Sequence, residues 1–221
     1  AMTSHHDELL PFFDLEPPTA VSRRRFLHLF GGGIVVAVSA RDLLALEQGS
    51  PRLSLARELP ADFNAFLRIG EDGRVTGFTG KIEMGQGPIT SLAQTLADEL
   101  EVPLESVDMT MGDTDICPWD MGTFGSMTTR FFGPPLRAAA AEAREVLIDI
   151  AADRLELPRE RLAARAGRIV DTTDPARGLS YAELAKGQAI GRRLSRKAAL
   201  EPVADFQVVG RPVLRRDAEV K

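Results

Sequence analysis

The sequence predicts an α+β fold in which a small sheet packs against two helices. First, apolar and polar residues alternate over residues 63–79 around a turn at residues 70–73, which is the pattern of a β-hairpin. Second, two apolar stripes at helical spacing follow along the chain. Third, a glycine-rich loop and a proline precede each stripe, and proline is favoured in the first turn of a helix. A sheet and helices in this order form layers around one core.

Each element has its own local signal. The first helix is predicted over residues 90–100, behind Pro88, and the second opens at the proline pair 134–135. A short strand is expected at residues 107–111, a strand and turn at residues 162–170, and a short helix behind the N-cap Ser180. The two stripes are Leu92, Ala93, Leu96, Ala97 and Leu100, and then Leu136, Ala140, Ala143, Leu147 and Ile150. The residues expected on the solvent face of the second helix are Arg137, Glu142, Glu145, Asp149 and Asp153.

Composition excludes several classes of function. The chain has 221 residues, 44% of them apolar, and a net charge of -5, which argues against nucleic acid as a partner. Its three histidines all precede residue 29, so the body has no Ser-His-Asp or Cys-His catalysis and no histidine metal site. The single cysteine, Cys117, allows no intrachain disulfide and no multi-cysteine metal site, and is best interpreted as a small apolar residue. Metal chemistry therefore requires carboxylates or an organic cofactor that carries the metal.

The N-terminal region has the form of an export signal. Residues 1–21 show no periodicity and are predicted to be a disordered arm. The Ser22-Arg23-Arg24-Arg25-Phe26-Leu27 run resembles a twin-arginine motif, and the apolar run at residues 29–40 is shorter than the roughly 20 residues of a membrane span. Residues 22–44 are therefore predicted to be a twin-arginine-like signal segment, followed by a linker at residues 45–61. The alternative is a basic segment followed by a buried helix.

The two glycine loops carry the predicted ligand chemistry. In the first, Gly85 and Gly87 remove side-chain bulk, Gln86 can donate and accept, and the loop leads into a helix N-terminus that favours anions. The second loop offers Gly122 and Gly125 with the hydroxyls of Thr123, Ser126, Thr128 and Thr129, and the charge of Arg130. Neither loop is a phosphate-binding P-loop or a dinucleotide fingerprint. A pair of connectors without any ligand is the alternative.

Taken together, these motifs resemble a known signature. The run from Gly80 to Gly87, the helix behind it, Met111-Gly112-Asp113-Thr114, and the loop at residues 122–129 are similar to the cofactor domain of molybdenum hydroxylases, the xanthine dehydrogenase family. With the twin-arginine segment, they resemble the isoquinoline 1-oxidoreductase branch. The similarity is strong over residues 62–155. Residues 62–186 are accordingly predicted to form a molybdenum-cofactor-binding domain, and residues 187–221 an extended linker towards a missing domain.

The resemblance implies a cofactor and the residues that bind it. The cofactor would be molybdopterin with molybdenum, as a cytosine dinucleotide, shared with the missing part of the large subunit. Glu83 would match a substrate-orienting carboxylate, with a solvated or backbone-bonded carboxylate as the alternative. Met127 departs from the arginine that is frequent in the family at its position. The residues implied in cofactor binding are Gly85, Gln86, Gly87, Thr123, Phe124, Gly125, Ser126 and Met127.

Two functions follow from the resemblance. The first is part of a molybdenum hydroxylase that oxidises an aldehyde or an N-heterocycle with water as the oxygen source. The implied partners are the remainder of the large subunit or a companion polypeptide, an iron–sulfur subunit and, as an option, a cytochrome c subunit. No catalytic residue and no metal ligand is assigned to this chain, so it is expected to be inactive alone. The second is an exported, non-catalytic binding or scaffold module. Export implies a periplasmic or periplasm-facing location.

Overall fold

The computed structural model describes residues 33–39, 63–117, 120, 122–193, 198–216 and 218. The predicted arm at residues 1–21 and the predicted linker at residues 45–61 lie outside the described residues. Of the predicted signal segment, only residues 33–39 are described. They form a strand, where the alternative interpretation of this region expects a helix.

A five-stranded sheet forms the centre of the fold. Its strands are β1 (Gly33–Ser39), β2 (Phe63–Ile69), β3 (Val75–Thr79), β4 (Val107–Met111) and β8 (Ala189–Arg193). Their order is β4-β3-β2-β1-β8, with β1 antiparallel to β2 and parallel to β8. Strands β2 and β3 form the predicted hairpin, closed by a hydrogen bond from the Gly73 N–H to the Gly70 carbonyl oxygen, and β4 runs parallel to β3.

The two predicted helices pack on each other and confirm the α+β class. Helix α1 is Pro88–Glu99 and helix α2 is Gly133–Leu155, each with proline in its first turn. Leu92, Leu96, Leu136 and Leu147 are completely buried, as their spacing predicts. The buried surface of α2 is wider than the one predicted apolar stripe, because this helix also contacts β1, β2 and a second sheet.

The predicted solvent face of α2 is wrong at Glu142. This residue is only 1% exposed, because α2 is surrounded by packed elements along its middle turns. Arg137 is also partly buried, and its Nε donates a 2.9 Å hydrogen bond to the buried Glu99 carboxylate. Burial raises the pKa of Glu99, while the Glu201 N–H and Arg137 oppose that shift.

A smaller sheet confirms the predicted strand and turn beyond Pro158. Strands β5 (Leu162–Arg165), β6 (Arg168–Asp171) and β7 (Gly178–Ser180) are antiparallel neighbours. Ser180 then caps helix α3 (Tyr181–Ala185), as predicted, through a capping box with Glu183. The buried Tyr181 hydroxyl donates a 2.6 Å hydrogen bond to the Leu100 carbonyl oxygen, which ties this unit to the end of α1.

The segment at residues 198–216 lies along α1. The buried Asp98 carboxylate accepts hydrogen bonds from the backbone N–H groups of Gln207, Val208 and Val209, at 2.8, 2.9 and 2.6 Å. Further along, the Arg216 N–H donates to the Thr90 hydroxyl oxygen at 3.1 Å. Side chains of α1 thus supply the partners that this irregular backbone needs. In the described part of the chain, no helix is both long and apolar enough to cross a bilayer.

Candidate functional site

The first glycine loop connects β3 to α1 and is organised by the Glu83 carboxylate. Its Oε1 accepts hydrogen bonds from the Gly85 and Gly87 N–H groups, at 2.8 and 3.0 Å, and its Oε2 accepts one from the Ile89 N–H, at 3.1 Å. The helix N-terminus therefore receives an anion from its own chain. The Gly85 and Gly87 N–H groups thus both have an acceptor within the loop itself. Glu83 has the backbone-bonded arrangement, and its substrate-orienting role stays a prediction.

Gln86 is held within the same loop. Its Oε1 accepts a 2.7 Å hydrogen bond from the Met84 N–H, and its Nε2 donates a 2.9 Å hydrogen bond to the Ile82 carbonyl oxygen. Gly85 and Gly87 have φ angles of 97° and 89°, a left-handed region that side chains rarely adopt. The loop conformation thus depends on two glycines and two polar side chains.

The second loop, residues 122–127, is folded on itself and precedes α2. The Met127 N–H donates a 3.2 Å hydrogen bond to the Phe124 carbonyl oxygen, and Ser126 has a left-handed φ of 56°. A π-helical turn, Thr128–Phe132, then leads directly into α2. Single π turns occur frequently at functional sites. This turn carries the predicted hydroxyls of Thr128 and Thr129.

The two loops are joined directly to each other. The Ile82 N–H donates a 2.8 Å hydrogen bond to the Thr123 hydroxyl oxygen. Next to it, the Lys81 ammonium lies 2.6 Å from the Gly122 carbonyl oxygen and 2.7 Å from Asp120 Oδ1. Sequence reasoning missed Lys81 and Asp120. Lys81 stands within the first loop motif, but nothing local indicates a partner 39 residues away.

An open cleft of about 530 Å³ lies between the two loops. Residues of both loops line this cleft. Of the residues implied in cofactor binding, five line the cleft, whereas Gly85, Gly87, Met127 and the substrate-binding candidate Glu83 do not. The lining residues are Met84, Gln86, Pro88, Ser91, Thr123, Phe124, Gly125, Ser126, Thr128 and Thr129.

The chemistry of this lining suits a bulky ligand that is bound through hydrogen bonds. Four lining residues besides Thr123 offer hydroxyls, Gln86 offers an amide, and none of the lining residues is charged. Met84 is 67% exposed and Phe124 50% exposed, so the cleft also presents two apolar side chains to solvent. Such a lining can hold an organic group by its polar edges and its flat faces.

Within the described residues, no group of three or more His, Cys, Asp or Glu side chains could hold a metal ion. Cys117 donates from its thiol to the Thr110 carbonyl oxygen at 3.3 Å, and burial raises the pKa of that thiol, which keeps it protonated. This environment favours the interpretation of Cys117 as a small structural residue. None of the residues that line the cleft is His, Cys, Asp or Glu.

Comparison with known proteins gives consistent matches. The profile of the molybdopterin cofactor-binding domain matches residues 33–212. One chain of the nicotinate dehydrogenase of Pseudomonas putida is 37% identical over 152 residues, which are 69% of this chain and 13% of that protein. The beta chain of the isoquinoline 1-oxidoreductase of Brevundimonas diminuta is 29% identical over 154 residues, 65% of this chain and 20% of that protein. The crystal structure of quinoline 2-oxidoreductase from Pseudomonas putida 86 matches with a TM-score of 0.50 and 31% identity, over 55% of this chain and 15% of that one.

The fold, the cleft between two glycine loops and these matches define a molybdopterin cofactor-binding domain. The chain belongs to this domain family, within the xanthine dehydrogenase family of molybdopterin-binding large subunits, as the sequence predicts. It spans between 13% and 20% of the length of the two curated relatives above. The matched range begins and ends outside the predicted domain of residues 62–186.

The first loop leaves open space at the cleft for a group as large as molybdopterin. A Cβ atom built on Gly85 or Gly87 would meet no other atom within 4 Å, so the space beside these glycines is open, and their left-handed φ angles are what favours glycine. Open space beside Gln86 and Pro88 gives a large ligand room to approach the backbone closely. The hydroxyls of Ser126, Thr128 and Thr129 can donate to the oxygens of a phosphate or pterin ring. The residues present therefore fit the uncharged contacts of such a group.

Proposed function

We propose that this chain supplies the cofactor-binding loops of a molybdenum hydroxylase that oxidises an aldehyde or an N-heterocycle with water as the oxygen source. The observation that carries the proposal is the single cleft bordered by both glycine loops. The names of the two curated relatives and of the matched crystal structure, which refer to nicotinate, isoquinoline and quinoline, support an N-heterocycle in preference to an aldehyde.

The chain's own contribution is to bind and orient. When bound, the cofactor supplies the molybdenum at which the substrate is oxidised. Gln86 and the hydroxyl residues Ser126 and Thr128 would hold it by hydrogen bonds, and Phe124 would cover an apolar face and exclude water. Glu83 would act earlier, by keeping the loop in its binding conformation. No described group of this chain is assigned a proton transfer.

The proposed enzyme requires further polypeptide. We infer a cytosine dinucleotide form of the cofactor, shared with the remainder of the large subunit or with a companion chain. An iron–sulfur subunit would take the electrons, and a cytochrome c subunit is a further partner to test. The exposed Met84 and Phe124 support a cleft that is covered in the assembly. The chain alone is expected to be inactive.

Co-expression with the companion subunits tests this proposal. Molybdenum is measured by mass spectrometry, pterin by fluorescence after oxidation, and the nucleotide by chromatography after hydrolysis. We expect equimolar molybdenum and pterin, with cytidine monophosphate released on hydrolysis. An assembled complex that contains neither molybdenum nor pterin would contradict the proposal and support the second candidate, an exported module without catalysis. That candidate rests on the fact that no catalytic residue is assigned to this chain.

We further propose export by the twin-arginine pathway to the periplasm or its membrane surface, on the strength of the motif at residues 22–27. Lysine substitution of both Arg23 and Arg24 should abolish export, whereas the same change at Arg215 and Arg216 should not. Unchanged export of the first variant would contradict the proposal. Strand β1 lies within the predicted signal segment, so the N-terminal sequence of the exported protein shows whether the sheet keeps this strand.

A further inference from the structure

A buried ion pair lies where the two glycine loops are joined. Lys81 follows β3 by two residues and is only 8% exposed. Its ammonium contacts Asp120 Oδ1 at 2.7 Å, and the side chains of Lys81 and Asp120 are 10% and 7% exposed. Neither residue lines the cleft, so neither is positioned to contact its ligand.

The ion pair holds one residue of the second loop by both of its backbone polar groups. Asp120 Oδ1 accepts a 2.8 Å hydrogen bond from the Gly122 N–H, and Lys81 donates a 2.6 Å hydrogen bond to the Gly122 carbonyl oxygen. The next residue, Thr123, accepts from the Ile82 N–H. Two consecutive residues of one loop thereby fix two consecutive residues of the other.

Stability alone is a weak reason for such a pair. Replacing a buried ion pair with apolar residues of similar volume is often neutral or stabilising, whereas removing one partner leaves an uncompensated charge. The ion pair instead fixes the relative position of the groups that it joins, because charge-assisted hydrogen bonds are short and have a defined geometry. An apolar pair would fill the same volume without fixing the position of Gly122.

We propose that Lys81 and Asp120 are positioning residues that set the separation of the two glycine loops, and hence the width of the cleft that holds the pterin cofactor. This inference rests on the proposed function. Lys81→Met retains most of the length of the side chain and removes its donors, and Asp120→Asn retains an acceptor and removes the charge. The double variant removes both charges and leaves no unpaired ion.

The experiment uses the assembled enzyme and measures three quantities for Lys81→Met, Asp120→Asn, the double variant and a matched control. These quantities are the molybdenum and pterin content, the thermal midpoint, and amide hydrogen exchange in the two loops. The control is Arg74→Met, which breaks the exposed 2.7 Å ion pair between Arg74, next to β3, and Asp108 of β4. Exposed pairs contribute little to stability, so the control should match the wild type in all three.

We expect each single variant to lower the cofactor content several-fold and to speed exchange in both loops together. The double variant should recover most of the thermal midpoint while its cofactor content stays low and its loop exchange stays fast. The proposal would be overturned if the double variant recovered its cofactor content together with its thermal midpoint. It would also be overturned if the midpoint of the double variant fell as far as that of Lys81→Met. Unchanged loop exchange would also overturn it. If the wild-type assembly lacks molybdenum and pterin, the proposed function fails, and exchange in the two loops still decides whether the pair positions them.

Discussion

The backbone N–H of Ile82 donates a 2.8 Å hydrogen bond to the hydroxyl oxygen of Thr123. Ile82 directly precedes Glu83, so this bond joins the first loop to the loop that carries Phe124 and Ser126. Thr123 also lines the cleft. Thr123 therefore both connects the two loops and lines the cleft.

Thr123→Val should separate these two contributions. Valine keeps the shape of threonine and loses the acceptor, so the Ile82 N–H would lose its partner, at a cost of about 1 kcal/mol in the free energy of unfolding. We expect the molybdenum content of the assembled enzyme to fall as well. Thr123→Ser, which keeps the hydroxyl, is the matched control and should retain both. Denaturant unfolding and metal analysis measure the two effects, and equal values for the two variants would argue against the bridge.

Glu83→Gln tests which role this residue has. The carboxylate accepts from three N–H groups, and glutamine offers one acceptor oxygen and no charge to the start of α1. We expect a loss of about 1 kcal/mol in the free energy of unfolding, because helix capping contributes on that scale.

The alternative role of Glu83 has a different signature. If Glu83 only orients substrate, Glu83→Gln should raise KM in the assembled enzyme and leave the free energy of unfolding unchanged. Glu160→Gln, at an exposed position between α2 and β5, is the control for removing a glutamate charge. Measurements of unfolding and of KM on the same preparations distinguish the two roles.

The elements that could be predicted are those with local signals. Pro88 opens α1 at the predicted place, and Ser180 caps α3 because its partner Glu183 is three residues away. Hairpin β2–β3 follows from alternation and a turn. The family resemblance is likewise carried by motifs that are contiguous in the sequence.

The interactions that the sequence does not predict join residues that are far apart along the chain. Lys81 and Asp120 are 39 residues apart, and Asp98 binds backbone groups 109 to 111 residues away. Periodicity assigns one face of a helix to solvent and predicts that Glu142 lies on it, but packing surrounds α2 along its middle. Similarly, a helix N-terminus indicates an anion but not its source, and here Glu83 of the same loop provides it.

Gly87→Ala tests whether the first loop leaves its space to a ligand. Gly87 has a φ of 89°, and a Cβ atom there would meet nothing within 4 Å. Gly187, between α3 and β8, has a φ of 71° and equally open surroundings, so Gly187→Ala is a matched control. Both variants should lose about 1 kcal/mol of stability from the left-handed backbone. Only Gly87→Ala should lower the cofactor content, and equal content in both would contradict a ligand at this loop.

Acid stability should depend on Asp171, the last residue of β6. The Thr173 N–H, then the Thr173 hydroxyl and Arg161, lower the pKa of this carboxyl from 3.8 to about 2. Between these values the unfolded chain binds more protons than the folded chain, so the stabilising contribution of Asp171 is complete above about pH 4 and is lost as the pH falls towards 2. The difference in unfolding free energy between wild type and Asp171→Asn should therefore be constant above about pH 4 and shrink below it. Urea unfolding at a series of pH values measures this difference. If the difference between wild type and Asp171→Asn does not change between pH 4 and 2, these contacts do not favour the ionised carboxyl.

Thr173→Val is the control, because it keeps the Asp171 carboxylate and removes only the hydroxyl donor. The pH-dependent part of the stability should be reduced in this variant but still present.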